Sequence, residues 1–294
     1  MVNVRIVNKG NKKYYYLEHT IRSGKNFKNK RVYLGDNLPK NIDELKEKFL
    51  YELFEEIYNK ELVAIKEFWA KEYKNYPQSS KEKYIESFMI KFTYNTNKIE
   101  GSTLTLKETA DLLQEQITPK NKSLKDVKET EAHKKVFYQM LEHKTKLNLA
   151  TVLYWHKELF KEADSEIAGL IRKHPVGIAR SKVELPLPTE LETLLKEFFR
   201  WYNKYYGKIN PILLAALIHL KFVSIHPFSD GNGRISRLMM NHTLNSLGYP
   251  MLNIEYTNRN AYYTALERSQ TRNKEETFTS YIVKRYLKEY KKIR

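Results

Sequence analysis

The chain has 294 residues, 41% of them hydrophobic, with 52 Lys and Arg against 35 Asp and Glu and a formal charge of +17; this is an ordinary folded composition, neither fibrous nor disordered, sized for one large domain or two modest ones. The absence of Cys excludes disulfides, thiolate metal sites and a thiol nucleophile, and fits a reducing cytoplasm. The charge attracts polyanions such as ATP, nucleic acid and acidic protein surfaces, but its spread along the chain points to a solvated basic surface more than to a single nucleic-acid stripe.

Met1 to Tyr15 is polar and lacks a continuous apolar stretch, so no signal peptide is expected. Tyr14-Tyr15-Tyr16-Leu17 and Arg31-Val32-Tyr33-Leu34 are short aromatic, β-branched runs. The polar segment between them, Arg22 to Lys30, contains Gly24 and Asn26, and the pattern predicts a β-hairpin closed by Gly35-Asp36. Asn41 caps a following helix in which Ile42, Leu45, Phe49, Leu50, Leu53 and Ile57 recur at helical spacing. That pattern runs to about Tyr73, and Tyr76-Pro77-Gln78-Ser79-Ser80 reads as a break. The expected division is therefore a basic hairpin-and-helix region, residues 1–77, followed by a mainly α domain, residues 78–294.

Beyond the break, helices are predicted over 83–99, 124–142, 148–160, 188–205, 210–225, 234–247, 258–270 and 275–290. Gly101 stops the first of these, and Thr105 with Glu108 forms a capping box that opens another. Pro211 to Ile225 is the most apolar segment, yet it contains His219, Lys221 and Ser224 and falls short of the ~18 to 20 apolar residues of a bilayer span. It reads as a buried core helix, and no membrane association is expected. Val176 to Leu187 breaks the helical pattern; it is extended, bounded by prolines, and predicts a hairpin with Ser181-Lys182 at its turn.

The segment that carries chemistry is His226-Pro227-Phe228-Ser229-Asp230-Gly231-Asn232-Gly233-Arg234-Ile235-Ser236-Arg237. Two glycines flank an Asn directly before a helix N-terminus, an arrangement that turns several N–H groups toward one point and adds the helix dipole. Arg234 and Arg237 are three apart, so both can reach the same anion. Asp230 brings a hard oxygen suited to a Mg²⁺ that bridges phosphates. His226, with an ordinary pKa near ~6.5, is a general base at neutral pH. A base, a metal ligand, an anion nest and two arginines describe a phosphoryl or nucleotidyl transfer site.

The same segment resembles the Fic family signature, His-x-Phe-x-Asp/Glu-Gly-Asn-Gly-Arg-x-x-Arg, at every specified position. The resemblance implies an all-helical core with a β-hairpin flap and transfer of AMP from ATP to a Ser, Thr or Tyr hydroxyl of a target protein. It implies that His226 takes the hydroxyl proton, Asp230 holds Mg²⁺, Gly231, Asn232 and Gly233 line the anion hole, Arg234 steadies the phosphates, and Arg237 meets the γ-phosphate. Phe228 is expected to point into the core. Thr96-Asn97-Lys98-Ile99-Glu100-Gly101 resembles the family's inhibitory motif, Ser/Thr-x-x-x-Glu-Gly/Asn. Glu100 ends a helix, where the dipole disfavours its charge, and the resemblance nominates Arg237 as its partner and the γ-phosphate position as the place it blocks. In some relatives the same Glu serves removal of AMP.

By the same resemblance, 176–187 is the flap, Val176 and Ile178 cover adenine, Tyr263 stacks on it, and Gln270 reaches a polar edge of the base where relatives often carry Asn. The other histidines show no metal-site spacing. Competing readings are transfer of UMP, phosphocholine or phosphate on the same fold, and a nucleic-acid-binding regulator. For residues 1–77 a target protein, a nucleic acid or a second copy of the chain remain open as partners, the favoured role being a partner-binding module.

Overall fold

The computed structural model describes residues 2–23, 26–178 and 181–290. By its internal contacts the chain divides into two units, Met1–Glu61 and Leu62–Arg294; the break expected at 77 lies within the second.

The first unit is an antiparallel sheet in the order β1 (Asn3–Lys9), β2 (Lys12–Ser23) and β3 (Asn26–Gly35), followed by the start of helix α1 (Ile42–Asn75). The two aromatic runs pair as expected, with Tyr16 opposite Tyr33 and Leu17 opposite Val32. Gly24 lies outside the described residues. The sheet has one strand more than the predicted hairpin. β1 joins β2 through Gly10-Asn11, with Lys9 opposite Lys12 and Gly10 at φ +59, the left-handed backbone that a two-residue hairpin loop requires. Val2, Leu17, Phe49 and Leu53 form the core between sheet and helix, flanked by Val4, Leu34, Ile42 and Leu45.

The second unit is helical: α2 (Gln78–Ile99), α3 (Leu106–Glu115), α4 (Leu124–Glu142), α5 (Leu149–Phe160), α6 (Leu191–Tyr205), α7 (Pro211–Ile225), α8 (Asn232–Ser246), α9 (Arg259–Arg272) and α10 (Glu275–Glu289). The capping box read at α3 forms, and further caps appear beside it. Thr105 and Glu108 form the reciprocal box at α3, and the side chains of Ser123, Asn148 and Asn210 accept the orphan N–H groups of α4, α5 and α7. Helix α7 is apolar on all sides because α6, α8 and α10 surround it. Its Phe222 joins Trp155, Phe160 and Phe228 in the core. Among the described residues no helix is long and apolar enough to cross a membrane.

The expected flap is extended but carries no strand ladder over its described residues, 176–178 and 181–187. The Ser181 N–H donates to the Ile178 carbonyl at 3.1 Å. Glu267 on α9 accepts the Lys182 N–H at 2.9 Å and the Ser181 hydroxyl at 3.2 Å.

Candidate active site

Helix α7 ends at His226, whose backbone turns left-handed at φ 52°, ψ 56°. A non-glycine residue holds that conformation at a cost of order 1–3 kcal/mol, which the packing around it must offset. The turn brings His226 Nδ1 to 3.2 Å from the Val223 carbonyl. A carbonyl only accepts, so Nδ1 carries the proton and Nε2 keeps its lone pair. Burial lowers the His226 pKa, and the charge of Arg172 adds to that; together they outweigh the Val223 bond and the nearby Glu100 and Asp230 carboxylates. His226 is thus neutral at pH 7, with its base pointed away from the helix bond.

The loop that follows is closed by Asn232. Its Oδ1 accepts the Phe228 N–H at 2.9 Å, while its Nδ2 donates to the Phe228 carbonyl at 2.8 Å. The Asn232 side chain is therefore committed to shaping the turn, and an anion meets only its backbone N–H. Phe228 is buried, as expected, and stacks on His156 with ring centroids 3.8 Å apart. His156 Nδ1 accepts the Gly169 N–H at 2.9 Å, so its other nitrogen donates to the Asp230 carbonyl at 3.1 Å. Burial takes the His156 pKa down to about 4. Gly231 has φ +79, and a Cβ there would strike the Phe160 ring; no other residue type fits.

Helix α8 opens at Asn232, and its first N–H groups have no partner within the helix. The Glu100 carboxylate lies in this place. A Cβ on Gly233 would collide with Glu100 Oε1, so the glycine is what lets the carboxylate approach the helix start. Glu100 Oε1 accepts from Arg237 Nη2 at 2.5 Å, the pairing that the inhibitory-motif resemblance nominates. The Arg237 Nε donates to the Thr96 hydroxyl at 2.7 Å and its Nη1 to the Tyr262 hydroxyl at 3.1 Å, which also shares a hydrogen bond with His219 Nε2 at 2.9 Å. Gly101, at φ +106, ends α2 just beyond Glu100.

Arg234 and Arg237 do not converge on one point, contrary to the simplest reading of their spacing. Arg234 is buried, paired with Glu129 on α4 and with Asp230 at 3.2 Å, and lies 4.6 Å over the Phe160 ring. Asp230 takes the Gly231 N–H at 2.5 Å and the Arg234 contact on the same oxygen, Oδ1. Burial raises its pKa, but the Arg234 charge and the Gly231 N–H outweigh that and keep it ionised. Its side chain is 44% exposed, so Oδ2 remains available. Among the described residues no three His, Asp or Glu gather as a metal site; the donor set suits a Mg²⁺ that takes most of its ligands from phosphates and water.

Tyr263, half-exposed, donates to the Ile99 carbonyl at 3.2 Å, tying α9 to the end of α2. Gln270 donates to the Ser224 hydroxyl at 3.2 Å on the wall of a cavity of about 730 Å³ shared with Lys182, Trp201 and Ile225. Val176 and Ile178 are half-buried in the extended segment.

Arg172, which sequence reasoning passed over, holds the whole arrangement. It is buried, and it donates to three carbonyls: His226 at 2.8 Å, His174 at 3.1 Å and Pro186 at 2.7 Å. Its own N–H donates to the Pro227 carbonyl at 2.9 Å. One guanidinium thus joins the histidine loop to both flanks of the extended segment. Nothing marks it in the sequence, because its partners are carbonyls and carry no residue identity.

The sequence model of the Fic/DOC family matches residues 146–244. That segment carries the likeness to the Fic/DOC family. It holds α5 to α8, Arg172 and the whole loop from His226 to Arg237, whereas Glu100 and its helix precede it. Protein adenylyltransferase Fic of Drosophila ananassae is 32% identical over 194 residues, which are 65% of this chain and 38% of that protein. The protein of the same name from Drosophila melanogaster gives the same values. The chain therefore spans well under half the length of these curated relatives. Among solved structures, a Fic-domain-containing signaling protein from Bacteroides thetaiotaomicron is 27% identical with a TM-score of 0.70, covering 76% of this chain and 93% of that one. Fic-1 from C. elegans has a TM-score of 0.69 at 24% identity, over 87% and 77% of the two chains, and shares the fold.

Proposed function

We propose that this chain transfers the AMP moiety of ATP to a hydroxyl of a protein, and that Glu100 restrains the reaction. The observation that carries the reading is the tautomer of His226: with Nδ1 bound to the Val223 carbonyl, a neutral Nε2 is left as base beside the N-terminus of α8. The relatives named protein adenylyltransferase support the choice of AMP. In this reading a Ser, Thr or Tyr hydroxyl loses its proton to Nε2 as its oxygen bonds to the α-phosphorus, and the bond to the pyrophosphate oxygen breaks. The backbone N–H groups of Asn232, Gly233 and Arg234 receive the phosphate oxygens. Asp230 would hold a Mg²⁺, which when bound neutralises phosphate charge. Tyr263, Gln270, Val176 and Ile178 are assigned to the nucleotide base.

Glu100 acts as the brake because its carboxylate already sits against Gly233 and occupies Arg237. A triphosphate seated on the same N–H groups meets a negative charge in its place. Mass spectrometry after incubation with ATP and Mg²⁺ tests both parts. Glu100→Gly is expected to gain AMP, and Glu100→Gly with His226→Ala to lose nearly all of that gain, since removing a general base costs ~10² to 10⁴-fold. Equal labelling of the two variants would overturn the role of His226; labelling from UTP instead of ATP would overturn the nucleotide.

A further inference from the structure

Charge in the first unit is segregated. Residues 1–35 contain nine Lys or Arg and a single acid, Glu18, whereas residues 36–61 contain four Lys and eight Asp or Glu. The sheet therefore carries the excess and the helix beneath it the opposite sign. One sheet face, with Val4, Leu17 and Leu34, packs on α1. On the alternate face, Arg5 lies opposite Tyr16 and Tyr16 opposite Tyr33, while Glu18 lies opposite Arg31. Arg5 and Arg31 flank Glu18 at 3.3 and 2.7 Å, yet their side chains stay 54% and 42% exposed. Lys9, Lys12 and Lys13 are exposed around the β1–β2 turn. Five cations and one acid thus share one rim and face.

We propose that this face binds double-stranded DNA through its phosphates. The tyrosines decide between duplex and single strand. Tyr14, Tyr16 and Tyr33 pack on one another at centroid distances of 6.2 and 5.2 Å, and Arg31 lies 5.6 Å over the Tyr16 ring. The rings tilt against one another at 42° and 47° and Arg31 covers Tyr16, so they do not present a row of parallel open faces for successive unpaired bases. What they offer is a hydroxyl edge among arginines, which suits phosphate oxygens. The twelve-residue β2 is about 40 Å long, enough to follow one turn of a duplex, about 34 Å. The assignment rests on the first unit alone and is independent of the reaction proposed for the Fic domain.

Fluorescence anisotropy of the whole chain with a labelled duplex of arbitrary sequence, about 24 base pairs long, tests it. Five phosphate contacts predict an affinity that falls about 500-fold between about 50 and 200 mM salt. Lys12→Gln with Lys13→Gln, both in an exposed turn, is expected to lower the salt slope by about 2; Lys204→Gln with Lys208→Gln, a pair of equal charge elsewhere, is expected to leave it unchanged. The proposal is overturned if the two pairs act alike, if the matching single strand binds more tightly than the duplex, or if polyglutamate displaces the duplex as readily as unlabelled duplex does.

Discussion

Arg234 and Arg237 are one helical turn apart, both are buried, and each holds a carboxylate, yet the two pairs differ in kind. Arg234 joins Glu129, itself buried on α4, to Asp230 in the adjoining loop. Arg237 reaches out of its pocket to Glu100, which ends a helix outside the matched Fic segment. The remaining donors of Arg237 are satisfied by Thr96 and Tyr262, which are neutral. The first pair is a buried strut between α4 and the loop; under the proposed function the second closes the site and is exchanged for another anion without leaving Arg237 bare. Similar burial thus conceals two different settings.

The largest expected effect tests the strut. Arg234→Met leaves the buried Glu129 with only the longer contact to Lys125 at 3.7 Å, and breaking a buried pair from one side costs about 3–5 kcal/mol. Urea denaturation should show that loss as a lower midpoint. A variant as stable as wild type would place Arg234 among the substrate ligands and erase the distinction.

Next comes Arg172, a third buried arginine whose side chain meets only carbonyls. Arg172→Lys keeps the charge but cannot span three acceptors with one compact ammonium. Displacing the His226 loop by about 1 Å is expected to lower the rate of AMP transfer about 10²-fold. The fall should appear in kcat with KM for ATP little changed; a change confined to KM would make Arg172 a nucleotide contact instead of a positioning residue.

A smaller effect, and the one most telling for the second pair, is expected from Glu100→Gly. Transfer should rise about tenfold or more, equivalent to about 1.4 kcal/mol of coupling. Because ATP then binds a vacated Arg237, the nucleotide should raise Tm further in the variant than in wild type. Equal Tm shifts would mean that Glu100 and the triphosphate do not compete.

These contrasts were legible in the sequence to an uneven degree. The helices of the second unit follow from apolar spacing and from local starts and stops such as the Thr105–Glu108 box and Gly101. The order of residues from His226 to Arg237 predicted the turn and the helix start, because those contacts are made within a few residues. Contacts between distant segments leave no local pattern. Glu129 meets Arg234 across 105 positions, and Arg172 reaches His226 across 54. Strand β1 was missed for a different reason: NVRIVNK has both faces partly exposed and so lacks a clean alternation, although Gly10-Asn11 was a turn signal. The inward role of Asn232 was hidden because an Asn in a glycine-flanked turn reads equally well as a ligand or as a clamp.

The smallest effect concerns pH and joins the two regions through His226. A general base works unprotonated, so kcat/KM should decline on the acid side with the pKa of His226 in the free enzyme. Burial and Arg172 lower that pKa from 6.5, so the decline should begin below the range of an ordinary histidine, and activity at pH 6.5 should stay above half its plateau. The Glu100 carboxylate acts in the opposite sense, favouring the protonated ring. Removing it in Glu100→Gly should therefore move the acid limb to still lower pH, whereas Arg172→Lys, which retains a positive charge, should move it little. An acid limb that rises in Glu100→Gly would show that the titrating group is not the histidine beside this carboxylate, and would separate the brake from the base that it is proposed to restrain.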